Sequence, residues 1–175
     1  MSVEEHKARA PKEVPCAVIT ASDTRTPETD DAGQYVRGSL ERAGHSVTYY
    51  AVVKDEKEAI LGALEEALRA AAVVIINGGT GLAPRDVTIE AVETRLDKRL
   101  EGFGEIFRWL SYQEIGSSAM MSRAMAGVIG EHFVACLPGS PRAVRLAVDK
   151  LLLPELGHIV QQVRAGRRGG GHTNH

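Results

Sequence analysis

Hydrophobic positions come in short, separated runs along this chain. "CAVIT" (Cys16 to Thr20) and "AVVII" (Ala72 to Ile76) are nearly unbroken apolar stretches, the pattern of strands covered on both faces. "SVTYYAVV" (Ser46 to Val53) alternates Val47, Tyr49, Ala51 and Val53 against Thr48, Tyr50 and Val52, which predicts a less buried strand. "AGVIG" and "HFVACLP", separated by Gly130 and Glu131, predict a hairpin.

Helical periodicity fills the intervals. Val36, Leu40 and Ala43 share one side of a helix over about 31–43, stopped by Gly44. Asp55 and Glu58 form a D-x-x-E pattern close to a capping box, ahead of Ile60, Leu61, Leu64 and Leu68. Further helices are predicted over about 88–96 and 104–115, with a short one in "SSAMMSRAM". A long helical pattern follows "LPGSP" and runs to about Arg164, with Pro154 set to kink or restart it. Strands alternating with helices predict a three-layer α/β/α fold: a mostly parallel open sheet with one antiparallel strand near the edge. A single domain over 14–165 is expected, with flexible termini at 1–13 and 166–175.

Composition narrows the function classes. The 175 residues carry a formal net charge of -2, and 5% are aromatic. Neither points to a nucleic-acid surface or a stacking platform for single strands. No apolar run approaches a membrane span and no leader-like segment is visible, so a cytoplasmic protein is expected. Cys16 and Cys136 lie in apolar runs with no C-x-x-C spacing and read as reduced core thiols.

In open α/β sheets ligands sit beyond the carboxyl ends of the strands. Three strand ends here carry unusual residues: "TASDTRT", "NGGTGLAPRD" and "LPGSPR". In the second, Gly78, Gly79 and Gly81 with Thr80 suit an anion-binding nest ahead of a helix, a reading preferred over a tight turn that needs glycine only for geometry. It is neither a Walker A loop nor G-x-G-x-x-G. Asp55 and Asp86, each taken alone, read as helix caps. Together, overhanging one crevice beside a phosphate cradle, they suit Mg²⁺. Ser22 and Asp23 are further hydrogen-bonding candidates. Arg123 suits bidentate contact with phosphate or carboxylate. Six scattered histidines and the lack of a nucleophile elbow argue against covalent hydrolase chemistry.

The segments "VITASDTRTPETDDAG", "NGGTGLAPRDVTIEAV", "SSAMMSRAMAGV" and "LPGSPRAV" together resemble the molybdenum cofactor biosynthesis MoaB/MogA family, from about Val14 to Val163. The resemblance implies a molybdopterin-binding fold and molybdopterin adenylyltransferase activity. In that reaction the terminal phosphate of molybdopterin attacks the α-phosphate of ATP with Mg²⁺, and pyrophosphate leaves. It implies catalytic and metal-binding roles for Asp55 and Asp86. It assigns phosphate or nucleotide contacts to Gly78, Gly79, Thr80, Gly81, Ser22 and Asp23. It assigns molybdopterin contacts to Ser118, Ser122, Arg123, Pro138, Gly139, Ser140 and Pro141. A homo-oligomer, trimer or hexamer, is implied, with the molybdenum-insertion protein as a further partner. Two other readings stay open at this stage: a molybdopterin carrier or sensor without turnover, and a generic nucleotide-binding α/β domain.

Overall fold

A computed structural model describes residues 2–165. Its six strands are β1 (Pro15–Ala21), β2 (Ser46–Val53), β3 (Val73–Asn77), β4 (Lys98–Arg99), β5 (Met125–Ile129) and β6 (His132–Leu137). They form one sheet in the order β2-β1-β3-β6-β5-β4. The first four in that order are parallel. β5 runs against β6, and β4 pairs antiparallel with β5. The expected architecture is borne out.

The helices are α1 (Val3–Ala8), α2 (Asp31–Arg42), α3 (Lys57–Ala70), α4 (Thr88–Glu93), α5 (Glu101–Ile115), α6 (Pro141–Ala147) and α7 (Leu153–Arg164). Strand alternation divides the core in two. Cys16, Val18, Val73, Ile75, Phe133, Ala135 and Leu137 face α2, α5, α6 and α7. Ala17, Ile19, Ala21, Val74, Ile76, Val134 and Cys136 face α3 and α4. Every residue of β3 is buried, as its unbroken apolar run requires. The two cysteines therefore lie on opposite faces of the sheet.

β1 has β2 on one side and β3 on the other. The chain leaves β1 through α2 on one face and returns to β3 through α3 on the other. That reversal opens a crevice at the carboxyl ends of β1 and β3.

Several local expectations change. The stretch read as a flexible N-terminus carries α1, capped by Ser2 and Glu5 and tied to α7 by the Lys7–Glu155 ion pair. It buries no residue, so no apolar stripe announced it. The expected 166–175 tail lies outside the described residues. "SSAMM" belongs to a 3-10 turn, Gly116–Met121, not an α-helix. α4 ends at Glu93 and α5 begins at Glu101, with the two-residue β4 between them. The long C-terminal helix contains a π-helical turn, Val148–Leu152, just before Pro154. The wider turn accommodates a proline, which cannot donate to the regular ladder.

Candidate functional site

The loops after β1, β2, β3 and β6 meet at one end of the sheet. After β1, the Ser22 N–H donates to the Val53 carbonyl at 2.8 Å. Ser22 Oγ accepts from the N–H groups of Thr24 and Arg25 at 3.2 and 3.1 Å. The loop so folded carries Asp23 across the end of β2, where Asp23 Oδ1 accepts the Asp55 N–H at 3.0 Å.

The glycine loop starts at Gly78, whose N–H donates to the Leu137 carbonyl of β6 at 3.0 Å. Gly78 and Gly79 take φ of +91° and +66°, a region that favours glycine. A Cβ at Gly78 would collide with the Ala21 carbonyl, and one at Gly79 with Thr88 Oγ1. Gly139 packs against the Gly78 backbone, where an added Cβ would stand 3.2 Å from Gly78 Cα. Three loops thus share one crowded junction. Among the described residues, no hydrogen bond engages the N–H groups of Gly79, Thr80, Gly81 or Leu82.

Behind the loop lies a buried polar chain. Asn77 Nδ2 donates to Thr20 Oγ1 at 2.9 Å, and Thr20 donates to Asp30 Oδ2 at 2.7 Å. Tyr50 donates to the same oxygen at 2.6 Å. Asp30 also caps α2, with Oδ1 accepting the Gly33 N–H at 3.0 Å. Asp30 is 1% exposed, so this carboxylate fixes β1, β2 and α2 together and, through Thr20 and Asn77, the root of the glycine loop. Thr20 and Asn77 were missed from sequence, although each is a polar residue closing an apolar run.

The capping alternatives for the two aspartates fail. α3 is capped at Glu56 and α4 at Val87, neither through a side chain, so the D-x-x-E pattern forms no capping box. Asp86 Oδ2 instead accepts the Ala83 N–H at 3.1 Å and tucks beneath Gly81, whose added Cβ would lie 2.7 Å from that oxygen. Among the described residues, Asp55 Oδ1 is buried and has no hydrogen-bond partner; the same holds for Thr88 Oγ1. Both oxygens converge on Gly79. Burial pushes the Asp55 carboxyl above its usual range, and the charges of Asp23 and Asp86 push it further.

A cavity of about 300 Å³ lies beside this junction. Its lining brings together Gly78, Gly79, Thr80, Gly81, Asp86, Ser122, Pro138, Gly139 and Ser140 from three of the predicted segments. Phe107, Ser111 and Arg142 also line it, with Ile115, Met121 and Ala143. Arg142 donates to Ser111 Oγ at 3.2 Å and to Glu114 at 2.6 Å. Phe107 and Ser111 were missed because α5 reaches the cavity only through tertiary packing, and Arg142, the last residue of "LPGSPR", was not singled out. Asp55, Ser22 and Asp23 stand at the neighbouring end of β2. Ser118 is exposed on the 3-10 turn, and neither it nor Pro141 lines the cavity. Ser140 accepts the Ala143 N–H at 3.3 Å and caps α6, as its position predicts. Arg123 lies behind the glycine loop, outside the cavity lining.

Known proteins share this fold. The domain described as "Probable molybdopterin binding domain" matches residues 17–158. Molybdenum cofactor biosynthesis protein B of Bacillus cereus is 57% identical over 162 residues, covering 91% of this chain and 96% of that protein. A crystal structure of a molybdenum cofactor biosynthesis protein B is 55% identical, with a TM-score of 0.86 over 90% of this chain and 99% of the other. The tungsten cofactor synthesizing protein MoaB from Pyrococcus furiosus is 38% identical, with a TM-score of 0.81 over 89% and 99%.

Proposed function

The chain belongs to the family of molybdenum cofactor biosynthesis proteins built on this molybdopterin-binding domain, and from that premise we propose that it is a molybdopterin adenylyltransferase. A terminal phosphate oxygen of molybdopterin bonds to the α-phosphorus of ATP. The bond from that phosphorus to the bridging oxygen breaks, and pyrophosphate leaves with its electron pair. The observation that carries this reading is the run of four unengaged N–H groups, Gly79 to Leu82, next to carboxylates that hold an unpartnered buried oxygen.

Phosphoryl-type transfer needs positioning and charge neutralisation more than a covalent side chain. The glycine loop supplies N–H donors to phosphate oxygens. Pro138, Gly139, Ser140 and Ser122 wall the cavity for the pterin side of the substrate.

Whether the residues suit Mg²⁺ turns on Asp55. Its buried Oδ1 lacks a donor among the described residues, and burial, with the charges of Asp23 and Asp86 added, holds its carboxyl above the usual range; both features favour a cation there. Among the described residues no group of three or more His, Cys, Asp or Glu side chains converges as a complete cage. An ion held by one or two carboxylates with substrate phosphates needs no such cage. Asp55 and Asp86 would hold it, and when bound it supplies neutralisation of the charge on the triphosphate. Asp23 acts through the backbone, fixing Asp55 by its N–H.

A homo-oligomer, trimer or hexamer, belongs to the same proposal. Ile106, Trp109 and Tyr112 follow one another at helical spacing on the outer side of α5 and are 50%, 61% and 61% exposed. Met120 and Met121, on the turn that follows α5, are exposed as well. Exposed large apolar side chains grouped on one element are characteristic of an interface. No described helix is long and apolar enough to cross a membrane, and a cytoplasmic place, with product passing to the molybdenum-insertion protein, completes the reading.

The test is pyrophosphate release. It should require molybdopterin, ATP and Mg²⁺ together and fall at least 100-fold in Asp86→Asn, the scale of losing electrostatic stabilisation of a transition state. Tight pterin binding with no pyrophosphate would instead mark a carrier or sensor.

A further inference from the structure

Arg123 is a predicted ligand contact whose guanidinium already bonds the protein through all three nitrogens. Its Nε donates to the Thr80 carbonyl at 3.1 Å. Nη2 donates to the Gly81 carbonyl at 2.6 Å and the Asp86 carbonyl at 3.4 Å. Nη1 and Nη2 both reach the Glu90 carboxylate. All three nitrogens are engaged, and the side chain is not part of the cavity lining.

In a planar trans peptide, the C=O and N–H of one unit point in opposite directions. Holding the Thr80 carbonyl toward Arg123 therefore turns the Gly81 N–H away from it. Holding the Gly81 carbonyl likewise turns away the Leu82 N–H. Gly81 lines the cavity, the space a phosphate would enter. Glycine-rich backbone left alone visits many conformations, and a rigid five-donor fork is suited to choosing one.

We propose that Arg123 is a positioning residue that clamps the carbonyls of the glycine loop from behind, so that its N–H groups form the phosphate site, and that Glu90 anchors the clamp. The proposal rests on the reading of this loop as the phosphate holder. Arg123 is then not a ligand of the substrate. The pairing leaves its mark on Glu90, whose carboxyl is held below its usual range by hydrogen bonds from Arg123.

The two roles predict opposite signs for one mild variant. Glu90 is exposed at the surface, so Glu90→Gln keeps the fold. If Arg123 clamps the loop, Glu90→Gln loosens it and weakens binding of inorganic pyrophosphate, by about threefold on the scale of an exposed ion pair. If Arg123 binds the anion directly, Glu90→Gln removes a competing carboxylate and tightens binding. Arg123→Ala should weaken pyrophosphate by roughly 10-fold or more. Millimolar guanidinium should restore it, and Arg123→Lys, a single point charge, should not. Calorimetric titration of the full chain with pyrophosphate reads all of these. Weakening in both variants with guanidinium rescue supports the clamp. Tighter or unchanged binding in Glu90→Gln overturns it. Failure of the unmutated protein to bind pyrophosphate would overturn the phosphate-loop reading itself, a distinguishable result.

Discussion

Replacing Gly79 by alanine tests the junction at the heart of the site. Gly79 sits at φ +66°, where an L-residue costs about 1–2 kcal/mol. Its new methyl would also collide with Thr88 Oγ1 and stand 3.0 Å from Asp55 Oδ1. Thr88 is 0% exposed, so its side chain has no open space to move into, and overpacking adds about 1–3 kcal/mol. Together, about 3 kcal/mol of destabilisation is expected, a fall in Tm on the order of 10 °C for a chain of this size. Thr88→Ala alone removes a hydroxyl that has no partner and a buried methyl, which costs about 1 kcal/mol. In the double variant the collision with Thr88 is gone. The total should be about 2 kcal/mol, mostly backbone strain, where additivity would give about 4 kcal/mol. Urea unfolding of the four proteins measures the coupling. Additive losses, or a Gly79→Ala protein as stable as the unmutated one, would refute the packing argument for this glycine.

Asp55→Asn should raise stability at neutral pH while abolishing turnover. The raised carboxyl means that the folded protein holds its proton more tightly than the unfolded chain, so stability falls as pH rises through the folded value and the full penalty is present above it. Tm of the variant should therefore exceed that of the unmutated protein at pH 7, and the gain should vanish once pH drops below the ordinary carboxylate range. Gly62→Ala, inside α3 with nothing within 4 Å of the added methyl, should stabilise by about 1 kcal/mol in the same urea assay. Cys16 and Cys136 are both free, and burial pushes each thiol up to about 12. A thiol reagent at neutral pH should label neither until denaturant is added, and no disulfide should form between them in the folded protein.

The layered fold was legible because it rests on apolar runs with two-sided burial. β1 and β3 are the clearest instances, and the hairpin β5–β6 follows from alternation broken by Gly130 and Glu131. What escaped has no such signature. α1 buries nothing and is held through surface pairs. β4 is two exposed residues that become a strand only because β5 lies beside them. At the site, the glycine loop and the two aspartates stood out as residue types at strand ends. Their relation did not. Asp55 reads locally as a cap, and only the placement of β2 beside β1 brings Asp23 to its N–H. Arg123 reads locally as an anion ligand. Only the fold shows its guanidinium turned toward the rear of the loop, since the carbonyls it meets lie more than thirty residues earlier in the chain. Thr20 and Asn77 carried a faint signal, as polar residues at the ends of apolar strands, that became meaningful once their chain was seen to end on the buried Asp30.

The central claim is transfer of an adenylyl group, and following the label in ATP carrying a marked α-phosphate addresses it most directly. The protein is incubated with molybdopterin, Mg²⁺ and this ATP, and the pterin is recovered. The account predicts one labelled AMP per molybdopterin, one pyrophosphate released for each, and no transfer in Asp86→Asn. Label that stays in ATP while molybdopterin remains bound to the protein would contradict it.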